Sequence, residues 1–241
     1  MGNYDPRIVE LYDSDNGDGE DHDFFRHLAE SVGAASILDL GCGTGLLTVS
    51  LATAGRSVVG VDPSLNMIRY ARARIGGQRV RWIHGDSRDI PPEVSFDYAV
   101  MTGNVAQHVT DTDWTRTLAD VHRSLRHGAT VAFESRNPAA RAWERWATGK
   151  ATVRDTGHGP LREWMEVSEG QRGEVVITAH NVFESTSEHV IERETLVFRD
   201  RAVLERQLET AGFTVVGVWS DWNNGQWSDD STIMVFQAVK A

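Results

Sequence analysis

The chain has 241 residues, is 40% hydrophobic and 24% charged, and carries a net charge of −11. That is enough chain for one domain with a sizeable core, or for a domain with an insertion. The acidic balance gives no electrostatic hold on a phosphate backbone, so nucleic acid is disfavoured as a partner. A single cysteine, Cys42, excludes a disulfide framework within the chain and fits a reducing cytoplasm. No apolar stretch approaches the ~18–20 residues that span a bilayer, and MGNYDPRIVELYD at the start has no signal-peptide core, so no membrane partner is expected.

In chain order, residues 5–13 place Ile8, Val9, Leu11 and Tyr12 at mixed helical spacing, with Pro6 suited to a first turn. Residues 14–23 are acidic and glycine-bearing and predict a mobile loop. Residues 24–33 predict a second helix closed by Gly33. The apolar run Ile37–Leu40 predicts a strand, followed by Gly41, Gly43 and Gly45 and then a helix over 45–54. Further strands are expected over 57–62, 79–84, 96–101 and 128–134, and helices over 64–75 and 112–126. Such alternation implies a parallel sheet with helices on both faces.

Residues 139–199 break the alternation. An amphipathic helix over 139–149 precedes three expected strands at 161–168, 174–183 and 189–198, forming a small antiparallel insertion that acts as a lid or as a dimer surface. The chain then predicts a helix over 201–212 and two last strands at 213–219 and 231–239, with a turn near Asn223–Trp227.

The glycine turn carries the strongest chemical signal. Strand, glycine turn and helix bring backbone close to a ligand, and the helix start adds unpaired N–H groups. About 20 positions beyond the first glycine, the next apolar run ends in Asp62, where a carboxylate can accept two hydrogen bonds from a vicinal diol. The spacing is GxGxG and not GxGxxG, which argues against a dinucleotide and for a mononucleoside ligand without a pyrophosphate. Metal motifs such as HExxH or CxxC are absent from the sequence, so no metal is expected. Cys42 reads as a small residue in a crowded turn, not as a nucleophile.

ILDLGCGTG and VVGVDPS resemble the first two motifs of class I S-adenosylmethionine-dependent methyltransferases. The resemblance continues through HGDSRDIP (84–91), FDYAVMTGNVAQHV (96–109) and LRHGATVAFESRNP (125–138). It implies an α/β, Rossmann-like, doubly wound, mostly parallel seven-stranded sheet with a terminal antiparallel hairpin. The core would be 36–138 and 200–241, residues 1–35 a helical lead over the cofactor, and 139–199 the insertion. The implied cofactor is S-adenosyl-L-methionine, released as S-adenosyl-L-homocysteine. The implied reaction is direct displacement onto an oxygen, nitrogen or carbon nucleophile of a small molecule by a monomer or homodimer.

The resemblance also implies roles. Asp39 would orient the methionyl ammonium, directly or through water, or else cap a helix. Gly41, Gly43 and Gly45 would let backbone pass beside the cofactor. Asp62, followed by Pro63, would hold the ribose diol, Met67 would pack on the adenine, and Asp86 with Ser87 would accept from its amino group. Thr102 and Gly103 would run past the transferred methyl, with Gln107 and Asn104 at the methionine end or on the substrate. Tyr12 of the lead would lie near the methionine part, with Tyr4 on the substrate side. His108 is either a general base for a hydroxyl or a structural histidine. Glu134 and Asn137 are further substrate-side candidates. Five of eight tryptophans (Trp143, Trp146, Trp164, Trp222 and Trp227) fall in or near the insertion and last turn, suggesting an aromatic-walled pocket or a packed lid. The competing readings are a non-catalytic cofactor-binding module or pseudoenzyme, and a nicotinamide oxidoreductase, which the GxGxG spacing disfavours.

Overall fold

In the computed structural model, which describes residues 2–241, two helices open the chain. Asp5 caps α1 (Pro6–Asp15) by accepting from the Arg7 amide at 2.9 Å, and Pro6 occupies the first turn, where it forfeits no helical bond. The second helix, α2 (Glu20–Ser31), starts at Glu20, so the expected acidic loop is largely helical. Glu20, Asp21 and Asp23 stand in its first turn, where negative charge meets the positive end of the helix dipole.

The main sheet contains β1 (Ser36–Leu40), β2 (Ser57–Asp62), β3 (Val80–His84), β4 (Phe96–Met101), β5 (Leu125–Arg136), β10 (Phe213–Trp219) and β11 (Ile233–Lys240). Its order is β10-β11-β5-β4-β1-β2-β3. Neighbours from β3 to β5 pair in parallel, while β11 runs antiparallel to both β5 and β10. The strand order reverses between β1 and β4, and the crevice beyond their carboxyl ends is where such sheets hold ligands.

Helices cover both faces, as alternation requires. On one side α6 (Asp111–Ser124) and α7 (Arg201–Thr210) bury Trp114, Leu118, Val121, Leu204 and Leu208 against Leu38, Val59 and Phe133. On the other, α2, α3 (Leu46–Leu51) and α4 (Leu65–Ala73) bury Phe25, Leu47, Leu51 and Ile68 against Ile37, Val58 and Tyr98. The central strands are buried on both faces, which is why they read as unbroken apolar runs.

The insertion differs from expectation in two ways. It has four strands, not three: β6 (Thr152–Thr156), β7 (Gly159–Glu169), β8 (Glu174–Phe183) and β9 (Glu188–Val197), paired antiparallel in that order. The short β6 escaped notice because its residues are half-exposed or exposed and mostly polar. The expected helix over 139–149 is two single 3₁₀ turns, Pro138–Ala140 and Ala142–Arg145, broken by Arg141 at φ 41°. Trp143 and Trp146 pack there against Phe198 in a satellite core with Val175 and Leu196.

Candidate active site

Three cavities meet at Gly41. The first, about 250 Å³, lies between the glycine turn, the start of α2 and the end of β5; Tyr12, His22, Asn104, Glu134, Arg136 and Trp222 contribute to its wall. The second, also about 250 Å³, lies between Pro63, Asp86, Ser87 and α5 (Val105–His108). The third, about 400 Å³, runs under the four-stranded sheet, with Tyr4, Tyr12, Asp62, Met67, Thr102 and Gly103 on the core side.

The glycine turn shapes the junction. A Cβ on Gly41, at φ 80°, would lie 2.4 Å from Val105 Cγ2, whereas one on Gly43 would meet nothing within 4 Å. The Gly43 backbone therefore borders open space at the crevice. Gly45 works elsewhere: its Cβ would fall 2.5 Å from Trp82 Cη2, so that glycine serves packing between α3 and the sheet.

Asp62 is 5% exposed. It accepts from the Gly43 amide at 2.8 Å and the Ser64 amide at 2.8 Å, and so locks the glycine turn to the tip of β2. Burial raises its pKa above the ordinary carboxylate value. Ser64, and not this carboxylate, caps α4 by accepting from the Met67 backbone amide at 3.3 Å. Met67 is buried on the third cavity. Asp86 lines the second, but both its oxygens bind Arg88, which holds its carboxyl below the ordinary value; Ser87 donates to Asp120 at 2.8 Å.

Three buried carboxyl or amide oxygens among the candidate residues lack partners: Asp39 Oδ1, Asn104 Oδ1 and, from the residue expected on the substrate side, Glu134 Oε2. Asp39 lies beneath the turn and off the cavity walls, with Thr48 donating to its other oxygen at 2.6 Å. Burial pushes its carboxyl up to about 6. Glu134 is 1% exposed and accepts from the Asn104 amide at 2.7 Å; burial pushes its carboxyl up to about 8, against the opposing pull of that bond. Asn104 sits at φ 60°, a left-handed conformation that turns the chain from β4 into α5.

His108 lines both the second and third cavities, with Nδ1 3.1 Å from Glu194 of β9. Tyr4 donates its hydroxyl to the same carboxylate. Burial opposes charge on Glu194, but bonds from His108 and Tyr4 hold its carboxyl below the ordinary value. Burial raises the Cys42 thiol well above its ordinary value, contrary to what a nucleophile needs.

Several candidates lie away from the crevice. Gln107 is fully buried behind it and accepts from Arg136 Nη1 at 3.1 Å. Asn137 donates to the carbonyls of Asp229 and Ser231, both at 2.8 Å, and so pins the end of β5 to the last loop. Trp143 and Trp146 belong to the satellite core, and Trp164 stacks on His180 with ring centroids 4.5 Å apart. Among the five tryptophans suggested as a pocket wall, Trp222 alone lines one of the three cavities.

Sequence reasoning missed Arg136 and three glutamates, Glu163, Glu192 and Glu194, which line the third cavity from the sheet. A signal was present in β9. Its pattern is inverted, with Glu192 and Glu194 facing the core side while Ile191 is 54% exposed on the other face.

Residues 37–128 match the family described as "Methyltransferase domain". A glycine/sarcosine N-methyltransferase of Aphanothece halophytica is 29% identical over 135 residues, covering 54% of this chain and 50% of that protein. One from Parasynechococcus marenigrum is 33% identical over 139 residues, covering 55% of this chain and 47% of its own length. The chain thus spans about half the length of the curated relatives it matches. A crystal structure of an S-adenosylmethionine-dependent methyltransferase from Clostridium acetobutylicum superposes with a TM-score of 0.80 at 15% identity, covering 96% of this chain and 97% of that one. The shared architecture is the Rossmann-like methyltransferase fold.

Proposed function

We propose, from the methyltransferase-domain match over residues 37–128 and the crevice at the β1–β4 switch point, that this chain is an S-adenosylmethionine-dependent methyltransferase acting on a small molecule through an oxygen, nitrogen or carbon nucleophile. The observation that carries the reading is the junction at Gly41, which walls two cavities along the strand tips and a third beneath the inserted sheet. A cofactor and an acceptor need that arrangement: two chambers with one shared wall.

The residues present fit the cofactor. Asn104 and Glu134, both on the wall of the first cavity, leave buried acceptor atoms unpaired, which suits a ligand bearing a primary ammonium; Asp39 stands behind that wall. Arg136, half-buried on the same cavity, suits the carboxylate of that amino-acid end. Asp62 stands beside open space at Gly43, within reach of a ribose diol. When bound, the cofactor supplies an electrophilic methyl on a sulfonium. The chain's task is then alignment: Thr102 and Gly103 wall the passage between the chambers, while α1 and the inserted sheet cover it and exclude water. We assign the lid role to residues 1–35 and 139–199 on this basis.

Isothermal titration tests the reading. S-adenosylmethionine and S-adenosylhomocysteine are expected to bind and NAD not to; failure of both adenosyl compounds to bind overturns it.

A further inference from the structure

The methyl-transfer reading leaves the acceptor open, and the third cavity narrows it. From the sheet, Glu163, Glu192 and Glu194 line it, joined by Asp62 from the core and by Asp15 of α1, which binds Arg154; among the described residues on its wall there is no lysine or arginine. Glu163 is already paired, accepting from Arg154 at 2.7 and 3.2 Å. Glu194 has His108 and Tyr4. Glu192 has no cationic partner among the described residues: it accepts one long bond, 3.4 Å, from the Asp5 amide. Burial pushes its carboxyl up to about 7, with Glu194 and Asp5 adding repulsion.

A second group points to a ligand independently. Asn181 of β8 lines the same cavity and is 6% exposed, yet its side chain makes no hydrogen bond with the described residues. The residue is nine-tenths buried but its unpaired amide opens onto the cavity, where it offers a donor and an acceptor to an occupant.

We propose that the acceptor is a small polar amine, bound as its ammonium against Glu192 with Glu194 beside it, and bonded by Asn181 through a neighbouring polar group. This rests on the methyl-transfer reading above. A phenolate, enolate or carboxylate acceptor would bring a second negative charge into a chamber that holds no free cation. A neutral alcohol would leave the Glu192 carboxylate uncompensated in a desolvated place. An ammonium answers both costs. It also supplies the nucleophile. One N–H proton passes to the Glu192 carboxylate, and the freed nitrogen lone pair forms the new N–C bond as the S–C bond breaks. The S–C electron pair stays on sulfur, which becomes a neutral thioether, and the positive charge moves to the methylated nitrogen.

Matched probes test this on the full chain saturated with S-adenosylhomocysteine. Cyclohexylamine, benzylamine and glucosamine are titrated calorimetrically against cyclohexanol, benzoate and glucose. At least one amine is expected to bind ten-fold or more tightly than its match, and to be methylated when S-adenosylmethionine replaces the product. Glu192→Gln is expected to weaken that amine at least ten-fold while S-adenosylhomocysteine affinity stays within two-fold, which also reports an intact fold. Asn181→Ala, read the same way, is expected to weaken it several-fold. Equal binding of the alcohol or carboxylate probe, no binding by any amine, or an unchanged amine affinity in Glu192→Gln overturns the proposal. If S-adenosylhomocysteine itself does not bind, the methyl-transfer reading fails, and the same matched titrations on the protein alone still decide the charge the cavity selects.

Discussion

At Gly41 a Cβ would strike Val105, while at Gly43 it would enter open space, and both glycines hold positive φ. Gly41→Ala is therefore expected to lower stability by roughly 1–3 kcal/mol, from strain plus the clash. Gly43→Ala should cost only about 1–2 kcal/mol for its left-handed backbone, yet abolish measurable binding of S-adenosylhomocysteine. Thermal melts and calorimetry on the two variants check the contrast. Asp62→Ala removes the proposed ribose partner and the shared acceptor of two backbone amides, so affinity for S-adenosylhomocysteine should fall by about 1–3 kcal/mol.

Glu134 sets a pH dependence. Its carboxyl titrates near 8 in the fold against an ordinary 4.5, so between those values the folded state keeps a proton that the unfolded chain releases. Stability from this group is fully present below about pH 4.5 and falls as pH rises toward 8. Asp39 adds the same sign over a lower window, from 3.8 to about 6. Calorimetric melting temperatures should decline from pH 5 to 8, and less steeply in Glu134→Gln.

At the scale of elements, α1 straps the inserted sheet to the core. Asp13 accepts from Thr44 at 2.6 Å and pairs with Arg74 on the core side. Asp15 binds Arg154, Arg7 binds Glu188, and Glu10 lies 3.0 Å from His158 on the sheet side. Asp13→Ala should loosen the strap, seen as faster amide exchange over 6–15 and a cofactor affinity weaker by about 1 kcal/mol. The satellite core acts on the sheet alone. Trp143→Ala deletes its packing against Phe198 and should destabilise by about 3 kcal/mol, with acceptor binding lost and S-adenosylhomocysteine affinity within two-fold of the parent.

For the whole molecule, the third cavity lies where the tips of the main sheet, the strap and the inserted sheet converge, so an occupant there would contact all three. Saturation at about one hundred times Kd adds about 2.7 kcal/mol, which for a chain of this size is a rise of about 5–10 °C in Tm. S-adenosylhomocysteine should produce it in a thermal scan and NAD should not. Among the described residues no helix is long and apolar enough to cross a membrane.

What the sequence determined by itself was local. The strand runs, the glycine turn, the carboxylate at the tip of β2 and the alternation that makes a parallel sheet are set by neighbours in the chain, where periodicity and turn chemistry act. Hence β1, β2 and β4 fall where expected, and so does the switch point. Tertiary structure decided everything that depends on residues distant in sequence. Gly45 looks like Gly43 until Trp82 is brought against it. Trp143 and Trp146 read as a pocket wall or as lid packing, and only Phe198, some fifty residues away, decides for packing. Glu192 and Glu194 are only part of an expected strand until β9 brings that face over the crevice. Burial and charge at a site are sums over such long-range neighbours, and no local pattern carries them.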